Sequence, residues 1–204
     1  YYTSSVTSSP VTFSTATFTS CSATNDGGAV SFYYTGAVTS GSGMQLSGVT
    51  ATNCFSSAMN GGALNVAYHN DVSNSGVSID TSSMFSNCHS VLNGGAVNIA
   101  YSTKLSTSSI TIDSSQFSGC YSSDTTSVGG SVSESAGTFD GVTTQVSGSS
   151  FSNGSSGTSG GAINIQANAG TSALSSFQLI AVTFSNLFAA DYGGAVRILA
   201  PMKT

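Results

Sequence analysis

Apolar residues along this chain fall in short alternating pairs, with no helical stripe anywhere. One set follows a glycine pair: Val30/Phe32, Leu64/Val66, Val97/Ile99, Val132/Glu134, Ile163/Ile165 and Val196/Ile198. A second set lies upstream: Val11/Phe13, Met44/Leu46, Val77/Ile79, Ile110/Ile112, Thr144/Val146 and Phe177/Leu179. Alternation with period two predicts a short strand with one buried face. Gly, Asn, Ser and Asp fill the intervals, and these residues form turns. The second set is separated from the next glycine pair by a recurring Phe: Phe18, Phe85, Phe117, Phe151 and Phe184, with Ala51 in the same slot of the second repeat.

The spacing decides the architecture. The first Gly of each pair stands at Gly27, Gly61, Gly94, Gly129, Gly160 and Gly193, in steps of 34, 33, 35, 31 and 33. A period of this size means a solenoid, propeller or array. The absence of a 3.6-residue period excludes helical repeats, and Leu is too scarce for a leucine-rich repeat. A propeller of the WD40 type would need four strands in about 40 residues or more. Short strands, tight corners and one longer closing loop fit one coil of a parallel β-helix of about 33 residues. The sequence therefore predicts an all-β, right-handed, single-stranded parallel β-helix of about six coils, forming one domain over residues 1–204. Its units run roughly 10–42, 43–75, 76–108, 109–142, 143–175 and 176–204. The glycine pair is expected to make a corner, the following Ala to sit inside it, and the Phe residues to stack from coil to coil. The variable segments "TGAVTSGSG", "HNDVSNSG", "STKLSTSS" and "ANAGTSALSS" are expected to be closing loops.

GGA followed by Val, Leu or Ile, with a Phe motif upstream, resembles the repeats of the chlamydial polymorphic outer-membrane proteins, a family of surface β-helix adhesins. Five of the six repeats carry GGA with one of those residues; the fourth reads "GGSV". The Phe motif reads "FTSC", "FSNC", "FSGC", "FSNG" and "FSNL", where the family has Asn in the fourth position. The resemblance implies a β-helix exposed at a cell surface.

Composition narrows the functional classes. Three basic and eight acidic residues give a net charge of −5, which excludes a nucleic-acid face built from clustered Lys and Arg. No run of apolar residues is long enough to span a bilayer. Ser and Thr make up 68 of the 204 residues, and a charge-poor, hydroxyl-rich surface points to an extracellular or cell-surface setting.

Candidate chemistry is sparse. Cys21, Cys54, Cys88 and Cys120 form one column continued by Gly154 and Leu187. Leu in that slot argues that the column faces inward, with Cys as a small hydrophobe. Disulfides between neighbouring coils are the second reading, because adjacent strands sit within disulfide reach, and a metal site is a distant third. Asp80 and Asp113 occupy equivalent outward slots and could form an acid pair, with Lys104 in a closing loop and Arg197 in the last repeat as the only other charges of interest. His69 and His89 are not equivalent and have no partner at motif spacing. Asp26, Asn60 and Asn93 precede the glycine pair and predict an Asn/Asp ladder. Asn153-Gly154-Ser155 is the one N-glycosylation sequon. An ice-binding face would need Thr-x-Thr on every coil, and the Thr residues do not follow that rule.

The reading that emerges is a structural or adhesive segment of an extracellular surface protein, without catalytic residues, metal or cofactor. The apolar last repeat and the first repeat, which lacks a charged cap, predict end-to-end stacking into a filament or continuation into a longer rod. Partners are expected to be further copies or repeats and host or matrix glycans, with no nucleic acid and no membrane insertion. A polysaccharide lyase or hydrolase, or a glycan- or ice-binding module, is the alternative.

Overall fold

The computed structural model of the chain describes residues 4–167 and 173–200. Among these residues there are only strands, turns and bends, and every strand pairing is parallel. Each coil meets the next in register about 33 residues along, so the molecule is a β-solenoid of about six turns. The alternating pairs after the glycines stack as read: Leu64 lies beside Val97, Val97 beside Val132 and Val132 beside Ile163. These pairs and the upstream ones belong to one 14-stranded sheet. The Phe strands, such as Met84–Ser86 and Gln116–Ser118, form a six-stranded sheet. Short strands such as His89–Ser90 form another. The core is the lumen, closed by Val66, Ile79, Ile99, Val146 and Ile165, all buried.

The two glycines of the pair are required for different reasons. The first takes φ between 59° and 70° in all six coils, a left-handed conformation that is free for Gly and costly for other residues. The second is excluded from bearing a side chain by the neighbouring coil: a Cβ on Gly62 would lie 2.0 Å from the Gly95 carbonyl oxygen and 2.4 Å from that of His89. Ala63, Ala96 and Ala162 fill the corner beside it. A second left-handed corner follows the Phe strand at Asn53, Asn87, Asn153 and Asn186, with φ of 51–53°. Asn tolerates this conformation best after Gly, which explains the Phe-Ser-Asn triplets.

Serine has a structural use. The Oγ of Ser42 accepts the Ser9 N–H, that of Ser75 the Ser42 N–H and that of Ser108 the Ser75 N–H, each at 3.1 Å. Ser42 and Ser108 also donate to carbonyls of their own coils at 2.7 Å. A hydroxyl accepts and donates at once, so one small side chain at a corner ties two coils together.

Two expectations need correction. The variable segments are not simply loops. Val38–Thr39 and Val72–Ser73 are strands, and the equivalent segments of the third and fourth repeats are absorbed into the long strands Val97–Ser106 and Val132–Ser147. Each delivers one apolar residue to the lumen, Val38, Val72, Leu105 or Phe139, all buried and paired in register. A single inward residue leaves no alternating pair to read. Consequently Lys104 sits within a strand. Of the fourth such segment, "ANAGTSALSS", positions 168–172 lie outside the described residues.

Candidate functional site

The sequence columns become ladders running along the axis. Phe85, Phe117 and Phe151 stack with ring centroids 4.9 and 4.8 Å apart and planes within 5° of parallel, and Phe184 follows at 5.4 Å. Phe18 stands apart from this run because Ala51 replaces the next ring; it meets Phe13 edge to face instead. Val49 occupies the position that is Ser83 in the next coil, and with Leu46 it reduces the void beside Ala51 to about 10 Å³. The Ala51 column marks the missing ring in the sequence, whereas Val49 stands two positions away in a column of its own.

Cys54, Cys88 and Cys120 are buried, Cys21 is half-buried, and all four are free thiols. Their Sγ atoms lie against backbone carbonyls: that of Cys88 is 3.5 Å from the Ala51 and Ser86 oxygens. The next thiol in the column and burial hold Cys54 well above the ordinary range, and contact with Cys120 pushes Cys88 up to about 12. Protonated, buried thiols are poor nucleophiles and poor metal ligands.

The polar candidates are spent on the same stacking. Asp26 Oδ1 accepts the Asn60 N–H and the Asn60 side-chain amide at 3.0 Å, Asn60 Oδ1 accepts the Asn93 N–H, and Asn93 Oδ1 accepts the Val128 N–H. Asp80 accepts from Gln45, Ser78 and Thr81, and Asp113 from Ser114 and Ser147. Lys104 pairs with Asp140 at 2.6 Å, and Arg197 donates to Asn164 and Gln166, so neither base is directed at the Asp80/Asp113 pair. His69 stacks on Tyr33, while His89 lies between Phe55 and Tyr121 at 5.1 and 5.0 Å; burial holds His89 below its usual value. Asn153 is exposed, at a left-handed corner, and accepts from Asn186. Among the described residues no group of three His, Cys, Asp or Glu side chains could hold a metal ion.

Two features were only half legible. The outward face of the Phe sheet carries a hydroxyl on every coil at Thr19, Thr52, Ser86, Ser118, Ser152 and Ser185, in register. The companion column begins with Thr17 and Thr50 but is then interrupted by Met84 and Gln116. Two Thr-x-Thr coils therefore do align, and the repetition on every coil that an ice-binding face demands is broken. The second feature is internal. Glu134 pairs in register with Ile99 and Ile165 and faces the lumen, 2% exposed. Thr144 Oγ1 donates to its Oε2 at 3.3 Å, and its Oε1 has no partner. Burial pushes the carboxyl up to about 8, so it is protonated at neutral pH. Thr144 replaces Ile110 and Ser131 replaces Ala96 in the same coil, so the polar substitutions fall together in one coil although they belong to separate columns of the sequence.

At the last coil the apolar residues reach the surface. Phe188 is 63%, Tyr192 65% and Leu199 50% exposed, with Leu179, Ile180 and Ile198 beside them. Compared with protein-family models, curated proteins and solved structures, the chain matches none.

Proposed function

We propose that the chain is a structural, rod-forming segment of an extracellular or cell-surface protein, with its outer faces available for adhesion. The observation that carries this reading is the apolar coil face around Phe188, Tyr192, Ile198 and Leu199. Among the described residues its strand Val196–Leu199 pairs on one side only, with Ile163–Ala167. An open edge of this kind pairs readily with another strand, and the periodic columns of the chain make a further coil, of a longer chain or of a second copy, the best-fitting cover. Heterologous contacts between coils propagate without closing. The polar side chains support the same reading, since they are engaged in ladders between coils.

The test is association through that face. The purified chain is expected to form rods in negative-stain images and to sediment as concentration-dependent oligomers, with an axial step near 30 Å per six coils at about 4.8 Å each. Ile198→Asp combined with Phe188→Glu is expected to return it to monomer while leaving the strand content unchanged. A monomer at every concentration, with the wild-type face intact, defeats the end-to-end proposal.

A further inference from the structure

Along one corner of the solenoid runs an open groove of about 480 Å³. It passes Pro10, Gly43, Gly76 and Ser109, successive residues at the same corner in four consecutive coils. At Gly43 and Gly76, in the middle of this row, the floor carries no side chain. A Cβ on Gly43 would meet the Gly76 carbonyl oxygen at 2.0 Å, and one on Gly76 would meet that of Ser109 at 1.7 Å. Close stacking of backbone on backbone thus keeps the floor bare. One wall is the outward row Gln45, Ser78 and Thr111, aligned in register. The other is the row of left-handed corners that includes Asn74 and Thr107, with φ of 49° and 43°.

We infer that this groove is a binding site for a neutral, unbranched oligosaccharide lying parallel to the solenoid axis. The inference rests on the reading of the chain as an exposed surface segment and names what one face of it holds. Three observations carry it. None of the described residues lining the groove is charged, so none of them offers a counter-ion to a uronate or a sulfate. Beside that wall Asp80 accepts from Gln45 Nε2 at 3.2 Å and from Ser78 Oγ at 3.0 Å; it orients the wall and repels an acidic polymer. Amide and hydroxyl side chains donate and accept together, and here they recur at the coil spacing of about 4.8 Å. That is the arrangement a chain of hydroxyl-bearing rings of similar length per unit can use ring after ring. A volume of 480 Å³ lies within the range of small-ligand sites, roughly 300–1,000 Å³.

The experiment is calorimetric titration of the purified chain with neutral tetrasaccharides (cellotetraose, chitotetraose, laminaritetraose and mannotetraose) and with tetragalacturonate as the acidic comparison. At least one neutral probe is expected to bind, and tetragalacturonate to bind more weakly or not at all. Thr111→Trp fills the groove and is expected to weaken binding by about tenfold or more. Asn74→Gly keeps the left-handed corner and removes one amide, with a smaller loss expected. Ser118→Ala, on the Phe sheet, is expected to leave binding unchanged, and circular dichroism establishes that each variant is folded. Failure of every neutral probe at about 10 mM, tighter binding of tetragalacturonate, or indifference to Thr111→Trp in a folded protein overturns the assignment. Because titration works equally on monomer and rod, a negative result leaves the structural reading standing, and a monomeric chain that still binds leaves this one standing.

Discussion

Replacing Glu134 should change both the stability of the coil stack and its pH dependence. The carboxyl sits in a column otherwise filled by Val66, Ile99 and Ile165, with one oxygen unpartnered. Its ordinary value of 4.5 rises to about 8 in the folded chain through burial. Between those limits the unfolded chain is ionised and the folded one holds the proton. The folded state thus binds more protons, and stability falls as pH rises, by about 1.4 kcal/mol per pH unit. The contribution is fully present below pH 4.5 and lost through about pH 8, for a total on the order of 5 kcal/mol. For a domain of this size that is roughly 10–20 °C in Tm. Thermal unfolding at pH 5, 6, 7 and 8 reads it directly. Glu134→Gln should remove the decline while matching the wild type near pH 5. Glu134→Ile together with Thr144→Ile should exceed both, by about 1–3 kcal/mol for the unsatisfied oxygen alone. His89 works in the opposite sense: held below its usual value, it adds stability that is lost as pH falls below about 6.5, so the Gln variant should show a slight rise with pH. A wild-type Tm that is flat from pH 5 to 8, or the same decline in Glu134→Gln, refutes the placement of an un-ionised carboxyl in the lumen.

Phe117→Ala removes the middle ring of the Phe85–Phe117–Phe151 stack and should cost about 3–5 kcal/mol, measured by urea denaturation. Ala51→Phe should cost about 1–3 kcal/mol by overpacking, because the void that Ala51 shares with Val49 and Leu46 is only about 10 Å³; adding Val49→Ser should recover part of the loss, and additive effects would show that the two sites do not share a void. In native protein a thiol reagent should label Cys21 alone, with Cys54, Cys88 and Cys120 reacting only on unfolding. Rapid labelling of all four would contradict the packing of the column.

Sequence alone determined the coil. The step between glycine pairs, the period-two apolar pairs and the Phe column fix strand direction, register and inward faces, because a stacked repeat places like on like and each column reports one environment. It also predicted the Asp26–Asn60–Asn93 ladder, since a short amide at a repeated corner meets its own counterpart. Only the tertiary structure showed that the variable segments supply a further strand, because one buried residue such as Val72 or Leu105 carries no period. Only there does Val49 compensate for Ala51, and only there does Glu134 face Thr144 across the lumen, contacts between columns that a reading along each column cannot contain. The bare groove at Gly43 and Gly76 belongs to the same class. A missing side chain leaves no mark in a hydrophobic pattern, and the space it opens is defined by the coils stacked on either side.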